Sequence, residues 1–273
     1  MTPLLAAELS AAAYLPPEEV QRIASERDLA FKFFSFGSSQ AYLFFDEDRV
    51  ICAFRGTEPT EILDVLADLR AWKTDGPFGR VHAGFQAALL RIWPAVSQEI
   101  RDNHANKTIN LTGHSLGGAL AVLAAAHSIS NMIHLDQVIT FGCPRVGDYE
   151  FTRTFEERFS RHLRFVNSCD IVARVPRWRY STPGWLRFFD ADGNRHKNPS
   201  KRFRQWDRLT CYWRDRWEVF KLVAYIVVLV TGPLGARVAF LKKWAVKPAL
   251  ASIRCHYMAR YLFHTERWYS NAA

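Results

Sequence analysis

The stretch Thr108-Ile109-Asn110-Leu111-Thr112-Gly113-His114-Ser115-Leu116-Gly117-Gly118-Ala119-Leu120-Ala121-Val122-Leu123-Ala124-Ala125-Ala126 decides the fold. Thr108 to Thr112 reads as a short buried strand and Ser115 to Ser128 as an Ala/Leu-rich helix, with Gly-x-Ser-x-Gly at the junction. That strand–turn–helix setting is the one a nucleophile elbow requires. Gly113 and Gly117 stand where any Cβ would collide with the neighbouring strand or helix, and the sharp turn holds Ser115 in a strained conformation. Ser115 would then lie at a helix N-terminus, where free N–H groups and the helix dipole favour negative charge. The plain alternative is a tight turn with a buried hydroxyl.

Outward from this centre, Phe31 to Phe36 and Ala41 to Phe45 flank Gly37-Ser38-Ser39-Gln40, and Arg49 to Phe54 follows after Asp46-Glu47-Asp48. These three runs predict an antiparallel meander. Downstream, Gln137 to Phe141 leads into a helix over Asp148 to Phe159, and Leu163 to Asn167 gives one more strand. Alternating units of this kind predict an α/β sheet with parallel central strands covered on both faces. Ligands in such sheets sit beyond the carboxyl ends of the strands. Met1 to Tyr14 is apolar but carries Glu8 and lacks a basic leader, so it is read as an amphipathic helix rather than a signal peptide. The expected location is cytoplasmic, with peripheral membrane attachment and leaderless secretion as alternatives.

The 273 residues, 49% apolar and 23% charged, fit one large domain and exclude disorder, collagen-like repeats and a small disulfide scaffold. The net charge of +9 is uneven: residues 1–150 hold 12 of the 36 basic and 18 of the 27 acidic side chains. The excess of positive charge therefore falls after position 150, a statement about surfaces and partners. Cys52, Cys143, Cys169, Cys211 and Cys255 are odd in number and include no C-x-x-C pair, so reduced thiols are expected and a zinc or redox motif is not. Cys143, Cys169 and Cys255 are read as small, half-buried packing groups.

A serine at an elbow is inert near neutral pH without a base, so a histidine and an orienting carboxylate must follow. In α/β hydrolases the chain order is Ser, then Asp or Glu, then His. Asp170 lies just after the strand Leu163 to Asn167, on the edge where sites form. Asp148, Asp190 and Asp192 compete by order alone, but Asp148 suits a helix cap and Asp192-Gly193 suits a hairpin turn. For the base, His196 lies in a Lys/Asn/Pro-rich loop expected to be solvated, which leaves His256 ahead of His264 without deciding between them.

Six segments share the order and spacing of the class 3 lipases, which the chain resembles. They are Phe54-Arg55-Gly56-Thr57, Val81-His82-Ala83-Gly84-Phe85, Gly113 to Ala119, Thr140 to Asp148, Val166 to Val172, and His256-Tyr257-Met258-Ala259-Arg260-Tyr261. The resemblance implies an α/β-hydrolase fold: a mixed, mostly parallel sheet flanked by helices, with a lid helix and an insertion in the C-terminal half. It makes Ser115 the nucleophile, His256 the general base and then acid, Asp170 the orienting carboxylate, and Thr57 and Leu116 the oxyanion donors. It settles His256 against His264 and makes His82 structural. The implied activity is hydrolysis of lipid carboxylic esters through an acyl-enzyme, with no metal or organic cofactor, falling on the acid side once His256 is protonated. Phospholipase A1 or short-chain carboxylesterase activity is the alternative within enzymes, and a catalytically silent, membrane-associated binding module the alternative outside them.

The organisation implied is one domain over 1–273. The family places its lid at 58–70, where Ile62, Leu63, Leu66 and Leu69 share one helical face. Family lids often carry a Trp that this one lacks. An insertion over 177–250 is basic and aromatic, then apolar. Leu222 to Ala236 is a 15-residue run without charge, bracketed by Arg214, Arg216, Lys221, Arg237, Lys242, Lys243 and Lys247. Gly232-Pro233 interrupts it, and a spanning helix needs about 20 apolar residues. A helix packed beside the substrate groove is therefore expected ahead of an interfacial element or a span. Expected partners are a lipid ester substrate and a membrane or lipid-droplet surface, and not nucleic acid; the oligomeric state is left open.

Overall fold

Local sequence pattern builds the sheet from its edge inward. The computed structural model describes residues 1–57, 72–176, 179–211 and 256–269. Two N-terminal helices, α1 (Pro3–Ala12) and α2 (Pro17–Ser25), precede β1 (Ala30–Phe36), β2 (Ser39–Phe45) and β3 (Arg49–Phe54). These three strands form the expected antiparallel meander, with Phe36 opposite Ser39 across a turn in which Gly37 takes φ 61°. A two-stranded ribbon, β4 (Lys73–Gly76) and β5 (Gly79–His82), leads into α3 (Ala83–Asn103).

The core of the chain follows as β6 (Thr108–His114), α4 (Leu116–Ser130), β7 (Leu135–Phe141), α5 (Tyr149–Arg158) and β8 (His162–Asn167). Then come β9 (Trp185–Phe189), β10 (Arg195–Lys197), a helix α6 over 201–211, and α7 (Met258–Tyr269). Among the described residues the main sheet has the order β1-β2-β3-β6-β7-β8-β9-β10. Strands β3, β6, β7, β8 and β9 run parallel, and β10 returns antiparallel to β9. This is the α/β-hydrolase architecture.

Central strands buried on both faces need apolar residues at consecutive positions rather than alternating ones. Val50-Ile51-Cys52-Ala53-Phe54 of β3 is buried throughout. One face carries α3, α4 and α5 over Val50, Cys52, Leu111 and Val138; the other carries α1, α2 and α7 over Ile51, Ile139, Phe141, Phe165 and Phe189. Phe141, Phe165 and Phe189 stack across three neighbouring strands with centroids 5.2 and 5.8 Å apart. Each such buried ring is worth about 1.5–3 kcal/mol. Helix α4 is buried on nearly every side, from Gly117 to Ala126, because it lies between the sheet and α3. Its small alanines permit that close approach.

Several expectations meet a different geometry. Helix α1 is not amphipathic: Ala6 and Ala7 pack toward α7, Leu9 and Ala12 toward the meander, and Ser10 Oγ bonds Thr112 Oγ1 of β6 at 2.8 Å. It is an interior helix whose small residues let it pack between two neighbours. His196 is not a solvated loop residue: it lies on β10 with Nε2 2.8 Å from Asp190 Oδ2. The cysteines are more deeply buried than expected, Cys52 and Cys143 at 0% exposure and Cys169 at 5%. Cys52, Cys143, Cys169 and Cys211 form no disulfide, although Cys169 Sγ and Cys211 Sγ are 2.9 Å apart. The lid at 58–70, the apolar run at 222–236 and Cys255 lie outside the described residues, as do 177–178 and 212–250 of the insertion. No helix of the described residues is long and apolar enough to cross a membrane.

Candidate active site

The carboxyl ends of β3, β6, β7 and β8 assemble the site. Ser115 joins β6 to α4 with φ 57° and ψ −127°, a backbone region that side chains rarely occupy. Its N–H is held by Phe141 O at 3.0 Å. The turn closes only because its neighbours lack side chains: a Cβ on Gly117 would lie 2.1 Å from Phe54 O, and one on Gly113 2.4 Å from Gly117 O. Ser115 is 4% exposed. Leu116 is the first residue of α4, so its N–H has no carbonyl one turn back.

Thr57 lies three residues beyond β3, in a segment that passes over the elbow. A Cβ on the preceding Gly56 would lie 2.5 Å from His114 O and 3.2 Å from Ser115 Cβ. Thr57 is therefore carried to the same end of the sheet as Ser115 and Leu116.

Asp170 follows β8 and is fully buried. His256 Nδ1 donates to Asp170 Oδ2 at 2.9 Å, with Oδ1 at 3.1 Å. Tyr261 Oη donates to the same Oδ2 at 2.6 Å and accepts the Asn167 N–H at 2.9 Å. Val172 N–H donates to Oδ1 at 2.8 Å. Burial alone would raise this carboxyl, but the His256 charge and the bonds from His256 and Tyr261 outweigh it and hold it below the ordinary carboxylate value. Gly142, at φ 56°, leaves room for the pair; a Cβ there would lie 2.8 Å from His256 Nδ1 and 2.9 Å from Asp170 Oδ2.

His114 links Ser115 to His256. Its ring stacks on the His256 ring with centroids 4.5 Å apart, and its Nε2 lies 2.6 Å from His256 O. A carbonyl only accepts, so Nε2 carries the proton and Nδ1 accepts from Tyr14 Oη at 2.8 Å. With Nδ1 committed to Asp170, His256 presents Nε2, which is buried and has no protein partner among the described residues. Among the described residues no hydrogen bond to Ser115 Oγ is formed; such contacts are commonly loose before substrate binds.

The competing residues lie elsewhere. Asp148 caps α5 through Phe151 N–H at 2.9 Å. Asp190 holds His196 and the N–H groups of Asp192 and Asn194 at the β9–β10 turn. His264, on α7, stacks on Phe189 at 5.2 Å, and burial followed by Arg260 and Arg267 pulls it down to about 4. His82 caps α3, its Nδ1 accepting the Phe85 N–H at 3.4 Å, and burial lowers its pKa. Among the described residues no cluster of His, Cys, Asp or Glu could hold a metal ion.

Two contributors escaped the sequence reading. Tyr261 closes the motif that begins at His256, and its place five positions after the base is the signal that points to it. Tyr14 gave no local signal. Tyr261→Phe is expected to remove the donor to Asp170 Oδ2 and the acceptor of the Asn167 N–H, costing about 1–3 kcal/mol. Urea denaturation measures this, and a change under about 0.5 kcal/mol contradicts the assigned contacts.

The buried histidines set the acid stability. Burial, followed by the neighbouring His256, lowers His114 to about 3; burial, followed by Arg164, lowers His162 to about 3. The unfolded chain binds these protons near the ordinary imidazole value of 6.5, so stability falls as pH drops from about 6.5 to about 3. Each histidine contributes about 1.4 kcal/mol per pH unit in that window. Asp170 acts lower: its contribution is full above the ordinary value of 3.8 and is lost as pH falls through its depressed folded value. Urea midpoints at pH 6.5, 5.5 and 4.5 are expected to fall steadily, and a flat series contradicts the neutral burial of His114 and His162.

Comparison with known proteins gives a consistent result. Residues 51–180 match the family model described as Lipase (class 3). A Caenorhabditis elegans protein named Lipase ZK262.3 is 33% identical over 138 residues, covering 47% of this chain and 38% of that one. Phospholipase A1-II 4 of Oryza sativa subsp. japonica is 31% identical over 194 residues, covering 60% of this chain and 49% of that one. The chain thus spans less than half the length of these curated relatives. A solved triacylglycerol lipase, described as having a serine protease triad as its catalytic centre, superposes with a TM-score of 0.59. It is 25% identical, and the match covers 68% of this chain and 78% of that one.

Proposed function

We propose that this chain, whose residues 51–180 match the class 3 lipase family, is a serine hydrolase that cleaves carboxylic ester bonds of lipids. The observation that carries the reading is a strained Ser115 at the end of β6, next in the chain to His114, whose ring stacks on a His256 whose Nδ1 is fixed by buried Asp170. The triacylglycerol lipase and phospholipase A1 named above support the lipid ester as substrate class.

In the proposed reaction Ser115 Oγ attacks the ester carbonyl while its proton passes to His256 Nε2. The oxyanion is held by the N–H groups of Leu116 and Thr57 and by the Thr57 hydroxyl. Donors of this kind are aimed at charge that exists only in the transition state, and loss of one typically costs about 10²–10³ in rate. The imidazolium then protonates the departing alkoxide, leaving an acyl-serine. A water surrenders its proton to His256 Nε2 and attacks the acyl carbon; the imidazolium returns that proton to Ser115 Oγ as the acyl–oxygen bond breaks, which releases the fatty acid and restores the free serine. Asp170 keeps the Nδ1 proton in place throughout, so Nε2 is the nitrogen that accepts.

In this reading the whole chain serves one hydrolase domain, with the segment at 58–70 as its lid and 177–250 as an insertion, and a membrane or droplet surface as its partner. The test is a side-by-side assay of wild type and Ser115→Ala on triacylglycerol, phospholipid and soluble short-chain esters, with and without vesicles. Turnover by wild type on at least one lipid ester, absent in the variant, is expected. A folded wild type inert on all of them favours a silent binding module, and turnover restricted to soluble esters favours a carboxylesterase.

A further inference from the structure

On the α5 side of the sheet, next to the Asp170 loop, lies a cavity of about 410 Å³. That volume falls within the ~300–1,000 Å³ range of small-molecule sites. Its walls include Arg145, Arg164, Arg174, Lys201, Arg204 and Arg208, and no acidic residue lines it among the described residues. The basic groups come from separate parts of the chain. Lys201, Arg204 and Arg208 share one face of α6 at spacings of three and four. Arg164 projects from β8, Arg145 follows β7, and Arg174 ends the short turn after Asp170.

Such a convergence is costly when empty. Arg164 and Arg204 are half-buried, but the Nε atom of each is shielded from solvent and has no hydrogen-bond partner among the described residues. Buried polar groups in native proteins are satisfied with few exceptions. Burial, with repulsion from Arg204 and Arg145, lowers the Arg164 pKa, and burial with repulsion from Arg208 lowers that of Arg204. Nearby carboxylates are engaged elsewhere: Glu156 accepts the Gly184 N–H at 2.9 Å, and Asp207 accepts from Ser168 Oγ at 2.7 Å and Ala191 N–H at 2.8 Å. Among the described residues the cavity wall thus gathers six cations and no carboxylate, with Glu156 attracting Arg164 from nearby.

We propose that this cavity is a binding site for a phosphoryl group, as a phosphate ester or as free phosphate. Its tetrahedral oxygens suit several guanidinium forks at once, and a multiply charged anion offsets the repulsion within the cluster. The site is separate from Ser115. Ser168 and Ala173 belong to its wall and flank Asp170 in sequence, so the acid loop divides the two.

The test is thermal unfolding of the full chain in increasing sodium phosphate against sodium chloride at matched ionic strength. A saturable rise in Tm with phosphate and not with chloride is expected. The double variant Arg204→Gln/Arg208→Gln is expected to bind phosphate at least about tenfold more weakly. If that variant does not fold, Lys201→Gln, an exposed change at the cavity wall, is expected to weaken it several-fold. Ser115→Ala is expected to keep the full response, which separates this site from the hydrolytic reading. In that inert background, dihexanoyl phosphatidic acid binding more tightly than phosphate identifies a lipid headgroup as the source, and equal or weaker binding identifies free phosphate. A chloride shift equal to that of phosphate, or a phosphate response unchanged in the folded cavity variants, overturns the proposal.

Discussion

Replacement of Ser115 by alanine is expected to reduce ester turnover by about 10⁶-fold, the scale on which nucleophile removal acts in serine hydrolases. That loss corresponds to about 8 kcal/mol of transition-state stabilisation. It is expected without loss of fold, because the Ser115 hydroxyl makes no hydrogen bond among the described residues, and the backbone N–H that closes the turn remains. Alanine keeps the φ of 57°, so the strain stays. Ser115→Gly releases it, and that variant is expected to be as inert but more stable by about 1 kcal/mol. The two variants thereby separate chemistry from backbone geometry. A Ser115→Ala protein that retains more than a tenth of wild-type turnover contradicts the assignment.

Asp170→Asn is expected to lower kcat by about 10⁴-fold, through the tautomer of a neighbour rather than through lost charge alone. Asparagine can still accept the Val172 N–H on its oxygen, which turns its NH₂ toward His256 Nδ1. Nδ1 must then accept, the imidazole proton moves to Nε2, and Nε2 can no longer take a proton from Ser115 Oγ. Because the buried site has no second carboxylate within the His256 hydrogen bonds, nothing compensates. Asp190→Asn is the matched control: its carboxylate serves His196 and the β9–β10 turn, so turnover is expected to stay within a few-fold of wild type. A loss under about 100-fold in Asp170→Asn, or a comparable loss in Asp190→Asn, would place the orienting carboxylate elsewhere.

What could be read in the residues and what could not divides along the range of the forces. The elbow was legible because its glycines act within four positions: Gly113 is crowded by Gly117 across the turn, and the motif encodes that crowding directly. The meander and the helix cap at Asp148 are local in the same sense. Tyr14 was not legible, because its bond to His114 spans 100 positions and depends on α1 packing between the sheet and α7. The same burial explains why α1 read as amphipathic: its Glu8 suggested a wet face, whereas Ser10 is satisfied inside by Thr112. His196 looked solvated because its surroundings in sequence are polar, but pairing of β10 with β9 sets it against Asp190. The cationic cavity gathers residues from five segments, of which only the 201, 204, 208 spacing could have been seen beforehand.

The central claim is that Ser115 is a nucleophile activated by His256, and covalent trapping tests it most directly. The folded protein is exposed to a fluorophosphonate, and the adduct is located by peptide mass spectrometry. One phosphonyl group on Ser115 is predicted, absent from Ser115→Ala and formed much more slowly in Asp170→Asn. A folded wild-type chain that takes up no label, or takes it up on another residue, contradicts the account.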